Sequence, residues 1–275
     1  MKIITPLPQD FRFKFAYSAN LFCNAPSTEI FVENPVSKPE VLPFDTPESF
    51  ATKLGRELKA LKKPQIVAAG FSYELFNDNH CDGGIFGIFL NTCSRYGFPV
   101  ALTTSSAEIL DYLAPLRKLA SNYCAVAVKI PSADDSVLQL MQPGFPLFKQ
   151  RLQIIRQLSE ANIQTGVWVN PILPYINDNA EQFSSILEAA AGSGASFAVY
   201  QKKLRLTPES RANLFDNIGL RFPQHLDNYS QLFSTKDESY GSNFMALSNT
   251  YARTTRRCGL QASWPEYNPP QLSLF

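Results

Sequence analysis

Five short apolar runs recur along the middle of the chain: PQIVAAGF, FPVALTT, YCAVAVKI, TGVWVNPIL and GASFAVYQ. Each is almost free of charge, which suits strands covered on both faces. The segments between them carry apolar residues at helical spacing. Alternation of such runs with helices, at roughly 30 residues per unit, specifies a parallel sheet with helices outside it. Five or six units fit between residues 12 and 205. The expected architecture is therefore α/β, a partial βα barrel rather than an eight-fold one.

Local signals set the helix limits. Thr46-Pro47-Glu48 opens a helix whose buried stripe is Phe50, Leu54, Leu58 and Leu61, and Lys62-Lys63-Pro64 closes it. Another helix is expected through Phe86 to Tyr96. Ser105-x-x-Glu108 reads as a capping box for the helix bearing Ile109, Leu110, Leu113 and Leu116. KQRLQIIRQLSEAN reads as a helix with Leu152, Ile155 and Leu158 inward, stopped by a left-handed Asn162. Asp178-x-x-Glu181 is the expected cap of the helix carrying Phe183, Ile186, Leu187 and Ala190. The segment from Thr207 to Cys258 is expected to be helical throughout and to brace the open side. The tail SWPEYNPPQLSLF is Pro-rich and expected to be extended. The organisation is thus a barrel over 1–206, a helical extension of the same domain over 207–262, and a tail over 263–275.

Composition narrows the function classes. With 45% hydrophobic and 18% charged residues and a net charge of +1, the 275 residues can build one sizeable core. Disorder and a globally basic nucleic-acid binder are not expected. Between Tyr200 and Cys258, however, nine Lys/Arg face five Asp/Glu, which suits a solvated surface or a weak phosphate-facing patch. The opening MKIITPLPQD has two prolines and no long apolar core, unlike a signal peptide. No apolar run approaches the roughly 20 residues of a membrane span. Cys23, Cys81, Cys93, Cys124 and Cys258 are scattered without a CxxC pair, so a disulfide framework is not expected and a cytoplasmic protein is.

Ligands of parallel βα sheets collect beyond the carboxyl ends of the strands. The residues at those places are Ser72 and Glu74, Thr103-Thr104-Ser105, Lys129 and Ser132, Asn170, and Gln201 and Lys202. Each suits a loop cap; together they suit a small-molecule pocket. His80-Cys81-Asp82 reads as a surface loop, since His80 and His225 are the only histidines. No phosphate loop, dinucleotide fingerprint, nucleophile elbow or HExxH motif is present.

The stretch from Arg151 to Leu206 resembles the spore photoproduct lyase-like branch of the radical S-adenosylmethionine superfamily. An amphipathic helix and a strand lead there into a P-x-x-P-x-x-N-D turn, carried by Pro171, Pro174, Asn177 and Asp178, and then an Ala-rich helix. FPVALTTSSAEIL and Gln142-Pro143 fall in the same order. The resemblance runs from about Phe11 to the C-terminus. It implies a partial (βα)6 TIM-like barrel of radical SAM type with a C-terminal helical extension. It also implies a [4Fe–4S] cluster held by a C-x3-C-x2-C loop after the first strand, with S-adenosylmethionine on the open iron.

This chain departs from that pattern at the loop. With Cys23 as the third cysteine, the other positions fall on Asn20 and Ala16; with Cys23 in the middle, they fall on Ala19 and Pro26. Cys23 is then the single remaining metal-ligand candidate. Tyr73-Glu74-Leu75-Phe76-Asn77-Asp78 stands where the family shows a Thr-Asp-Pro-Tyr-Gln-Pro-like turn. Thr103-Thr104-Ser105 lacks the family's lysine, and Gln142-Pro143 replaces Glu-Pro. These departures suggest a degenerate pseudoenzyme with no cofactor, in which Ser72, Glu74, Ser105 and Asn170 line the former cofactor pocket beside Lys202. One alternative is an active lyase-like radical SAM enzyme, with cluster and S-adenosylmethionine held by unusual ligands. Another is a metal-free barrel enzyme using Glu74 for acid–base work. The ending Gln271-Leu272-Ser273-Leu274-Phe275 resembles the bacterial sliding-clamp binding peptide. It implies a DNA sliding clamp as partner and a link to DNA repair; the alternative is a tail packed on its own barrel.

Overall fold

The computed structural model describes residues 4–6, 17–19, 46–61, 64–71, 74–76, 84–200, 202–206, 208–241 and 243–269. Cys23, Ser72, His80, Cys81, Gln201, Gln271, Leu272, Leu274 and Phe275 lie outside these residues. The centre is a seven-stranded sheet in sequence order: β1 (Ile4–Pro6), β2 (Tyr17–Ala19), β3 (Val67–Ala69), β4 (Val100–Thr104), β5 (Cys124–Lys129), β6 (Gln164–Val169) and β7 (Phe197–Tyr200). β1 is antiparallel to β2, and every pairing from β2 to β7 is parallel. β7 does not pair with β1, so among the described residues the barrel is open. Its six parallel strands match the partial (βα)6 expectation.

Helices cover the outer face: α1 (Pro47–Ala60), α2 (Ile85–Arg95), α3 (Leu113–Ala120), α4 (Asp135–Met141), α5 (Phe148–Glu160) and α6 (Ala180–Gly192). Strand alternation sends Val67, Val100, Leu102, Val126, Val128 and Val167 against Phe50, Leu54, Phe89, Leu116, Ile155 and Leu187 of these helices. Beyond β7 follow α7 (Pro208–Arg221), α8 (Leu226–Leu232) and α9 (Phe244–Cys258), the last packed on α6. No described helix is long and apolar enough to cross a membrane.

The expectation of unbroken helix after Thr207 is corrected. β8 (Leu204–Arg205) pairs antiparallel with β9 (Glu238–Ser239), which separates α8 from α9. Charge explains the interruption: Lys203 and Arg205 lie 2.6 and 3.4 Å from Glu238, and Arg211 lies 3.0 Å from Asp237. Two caps shift by one residue. Ser106, not Ser105, caps the 3₁₀ turn before α3, its Oγ accepting from the Glu108 amide, because Ser105 is buried and engaged elsewhere. Asn179, not Asp178, accepts from the amides of Glu181 and Gln182. Thr46 caps α1 as expected, and Asn162 adopts φ 59°. On α5, Ile154 joins Ile155 and Leu158 on the buried face, while Leu152 is half-buried.

The inner face is built differently. Ala68, Ala101, Ala125 and Ala127 line it, and aromatic rings fill the space they leave. Trp168 and Phe197 come from the strands; Trp264 comes from the tail, its ring 4.9 Å from Phe197 and 5.2 Å from Phe71. Gly166 has no Cβ for a reason: one would sit 2.5 Å from the Phe197 ring. The tail reaches the interior by pairing with β7, the Gln261 amide donating to Ser196 and the Ala198 amide to Gln261. Trp264 Nε1 then donates to the Tyr123 hydroxyl, which donates to the Pro265 carbonyl. Trp264→Ala is expected to destabilise the fold by about 3–5 kcal/mol in chemical denaturation, because it empties an aromatic-sized space that the surrounding strands cannot collapse to fill.

Candidate functional site at the barrel mouth

At the carboxyl ends of β3, β4 and β5 the chain buries a connected set of polar and charged groups. Glu74 is 2% exposed. Its Oε1 accepts from the Leu75 amide at 3.0 Å and from the Thr104 hydroxyl. Its Oε2 accepts from the Ser105 amide at 2.8 Å, and Lys129 Nζ lies 3.7 Å away. The carboxylate thus accepts these three hydrogen bonds and faces the Lys129 ammonium as an ion pair. Thr103 adds a further tie, its hydroxyl donating to the Gly70 carbonyl at 2.6 Å. Gly70 is in the left-handed region at φ 84°, where a Cβ would strike the Thr103 carbonyl oxygen.

The same set extends under β5. Arg151, on the first turn of α5, is fully buried. Its Nη1 donates at 2.7 Å to both the Lys129 carbonyl and Gln142 Oε1, and its Nε donates to the Pro146 carbonyl. Gln142 Nε2 donates to Ser105 Oγ at 3.3 Å. Sequence reading missed Arg151, although helical spacing places it on the face of Ile154, Ile155 and Leu158. That spacing was the available signal.

Of the residues expected at the mouth, Glu74 and Ser105 meet directly and Lys129 joins them. Ser132 serves the loop before α4, its hydroxyl accepting from the Asp134 amide. Asn170 stands at the end of β6, before a cis peptide to Pro171. Its Oδ1 is buried without a hydrogen-bond partner among the described residues. Lys202 is exposed. In the turn after β6, Asn177 accepts from the Leu173 amide and donates to the Pro131 and Pro171 carbonyls. Asp178 accepts from the Tyr175 amide at 2.9 Å.

Beside the mouth, Arg205 lies on β8, Lys202 and Lys203 directly precede it, and Lys236 stands two residues before β9. Lys203 lies over the half-exposed Tyr240 ring at 5.1 Å. Glu238 pairs with Lys203 and Arg205, whereas Lys202 and Lys236 make no ion pair among the described residues.

The three described thiols lie at the other end of the barrel. Cys93 is in the last turn of α2, Cys124 opens β5 and Cys258 closes α9. Burial pushes the Cys93 thiol well above its usual range and the Cys124 thiol up to about 12. Neutral buried thiols are poor ligands. Among the described residues no group of three or more His, Cys, Asp or Glu side chains could hold a metal ion.

No protein-family model matches the sequence, and no curated protein does either. Solved structures of spore photoproduct lyase do match in shape. A tyrosine-to-phenylalanine variant superposes with a TM-score of 0.63 at 14% identity, over 95% of this chain and 81% of that one. A variant with bound AdoMet and dinucleoside spore photoproduct superposes with a TM-score of 0.59 at 14% identity, over 86% and 73%. The chain therefore has a partial-barrel fold of the radical S-adenosylmethionine kind. More narrowly, that fold is the one seen in spore photoproduct lyase.

Two outcomes are expected from this geometry. Arg151→Met strands the Gln142 and Lys129 acceptors and should cost about 3–5 kcal/mol in a denaturant melt. Burial raises the Asp178 pKa above its ordinary 3.8, against the opposing pull of the Tyr175 amide, its own amide, Asn243 and His225. The unfolded chain then ionises at lower pH than the folded one, so Asp178 weakens folding progressively as pH rises through its folded pKa. Asp178→Asn should melt higher than the parent at pH 7, and the gain should vanish below pH 3.8.

Proposed function

We propose that this protein is a nucleic-acid-binding barrel of spore photoproduct lyase type that has given up cluster chemistry. The observation carrying this reading is the placement of the thiols. A standard cluster needs three cysteines at the mouth. Cys93, Cys124 and Cys258 stand at the opposite end, which leaves Cys23 and Cys81. The residues present do not fit the cluster. Glu74 is committed to fastening three strand ends, which supports an inherited scaffold over a carboxylate acting as acid or base.

Nucleic acid is the ligand class for two reasons. Spore photoproduct lyase has been solved with a dinucleoside spore photoproduct. Here Lys202, Arg205 and Lys236 are exposed, and Lys203 lies over the half-exposed Tyr240 ring, a combination that suits a phosphate backbone and a stacked base. Iron and acid-labile sulfide per chain, measured after anaerobic reconstitution, should fall well below cluster stoichiometry and be unchanged in Cys23→Ala. About four irons per chain, lost in that variant, would restore the radical SAM enzyme with unusual ligands.

The tail supports a second part of this reading, attachment to a DNA sliding clamp at sites of repair. Trp264 and Tyr267 anchor the chain in the barrel interior through the β7 end opposite the mouth. The segment bearing Gln271, Leu272, Leu274 and Phe275 follows in the sequence and lies outside the described residues. A Leu274→Ala/Phe275→Ala protein should lose clamp capture in a pull-down while its oligonucleotide affinity stays the same; undiminished capture would remove the clamp from the picture.

A further inference from the structure

At the end of the barrel away from the mouth, α1, α2 and α3 pack side by side and finish beside the amino ends of β3, β4 and β5. Their last turns carry Lys59, Arg95, Arg117 and Lys118, with Arg56 three residues before Lys59 on the same helix face. All five side chains are exposed, and none makes an ion pair among the described residues. Within the last two turns of these helices the only carboxylate is Glu57, which is half-buried. A cation in a last turn offsets the helix dipole, so each one alone is ordinary. Packing is what gathers them. Gly55 lies inside α1, where glycine weakens a helix, and a Cβ there would sit 3.0 Å from the Tyr96 hydroxyl and 3.1 Å from its ring. Its absence lets the ring that ends α2 lie against α1. Lys59 Nζ then stands 5.6 Å and Arg95 Cζ 5.9 Å from the centre of that one ring. Asn122, just past α3, donates to the Gly97 carbonyl at 3.2 Å and joins the third helix end to the second. On the far side α5 has no basic last turn and ends in Glu160, which bounds the cluster.

We propose that this face binds the phosphate backbone of a nucleic-acid duplex. Cations gathered without acids raise the local positive potential, and a polyanion lowers it. The face offers charge and no platform for stacked bases, since Tyr96 is packed on α1 beneath two cations. Its contacts are therefore with phosphates. A duplex presents these densely, one charge per about 1.7 Å of axis, and binding to them carries no sequence preference. An anionic membrane is the competing polyanion. Surface binding to lipid uses apolar anchors among the cations. The exposed large apolar side chains are Leu140, Tyr175, Leu220, Tyr240 and Met245, none of them on α1, α2 or α3. This inference goes beyond the reading above, which places a nucleic-acid strand beside the mouth; the two surfaces lie at opposite ends and are tested separately.

The test measures the full-length protein by fluorescence anisotropy, over a series of salt concentrations, on a DNA duplex of about 20 base pairs, two helical turns, and on decathymidylate. Lys59→Gln/Arg95→Gln/Lys118→Gln should weaken duplex binding at least about tenfold at low salt and flatten its salt slope by about three, one for each phosphate contact removed. Decathymidylate binding should stay as it was. The three positions are exposed, so the melting temperature should hold. Lys202→Ala/Lys236→Ala should show the reverse pattern, a weaker single strand and an unaltered duplex. A triple variant that keeps the parent's duplex affinity and salt slope would overturn the face, and loss of both ligands in Lys202→Ala/Lys236→Ala alone would then leave all binding at the mouth. A parent that binds decathymidylate but no duplex would also overturn it, with the mouth reading intact. Capture by phosphatidylserine vesicles, lost in the triple variant and unmatched by any duplex binding, would reassign the face to a membrane.

Discussion

An open barrel must fill its own interior, and this one does so with a ring borrowed from the end of its chain. The inward positions of β3, β4 and β5 are mostly alanine, with glycine at Gly166 on β6, so the rings of Trp168 and Phe197 leave space that the strands do not fill. Trp264 enters between Phe197 and Phe71, and its indole N–H and the Tyr123 hydroxyl tie the tail backbone in place. Much else depends on that contact. The bridge between Gln261 and Phe197 extends the sheet beyond β7. α9 leads directly into it, and α9 in turn covers α6.

The opposite end is held by charge rather than by rings. Glu74, Lys129 and Arg151 are removed from water together, a costly arrangement that is tolerated because each finds hydrogen-bonding partners. The network joins the ends of three strands to α5. It ties the strand ends together around the Glu74 carboxylate. The exposed cations Lys202, Arg205 and Lys236 stand outside it, on β8 and in the segments flanking β8 and β9. The two ends are thus held differently: by a buried charged network at one, by the ring contacts of Trp264 and Tyr267 at the other.

Much of this was legible in the sequence because burial on both faces leaves a plain signature. The runs VAA, VALTT, CAVAVK and FAVY all proved to be strands, and Thr46 and Asn162 behaved as their side chains dictate. Ser105 and Asp178 did not, because each had a stronger partner than the helix end: the Glu74–Gln142 network for one, the Tyr175 amide for the other. Arg151 was harder to read, although its spacing puts it on the buried face of α5. An arginine on an amphipathic helix is read as surface unless the acceptors that admit it to the core are known, and those lie at Gln142, Pro146 and Lys129.

By itself, then, the sequence determined the order of strands and helices, the parallel sheet and the scarcity of thiols where a cluster loop would stand. Those follow from local periodicity and from counting residues. The tertiary structure alone decided that Trp264 belongs to the interior, that Cys93, Cys124 and Cys258 share the end away from the mouth, and that Lys59 and Arg95 meet over the Tyr96 ring. These are meetings of residues distant along the chain, brought about by strand register and helix packing, which no local pattern encodes.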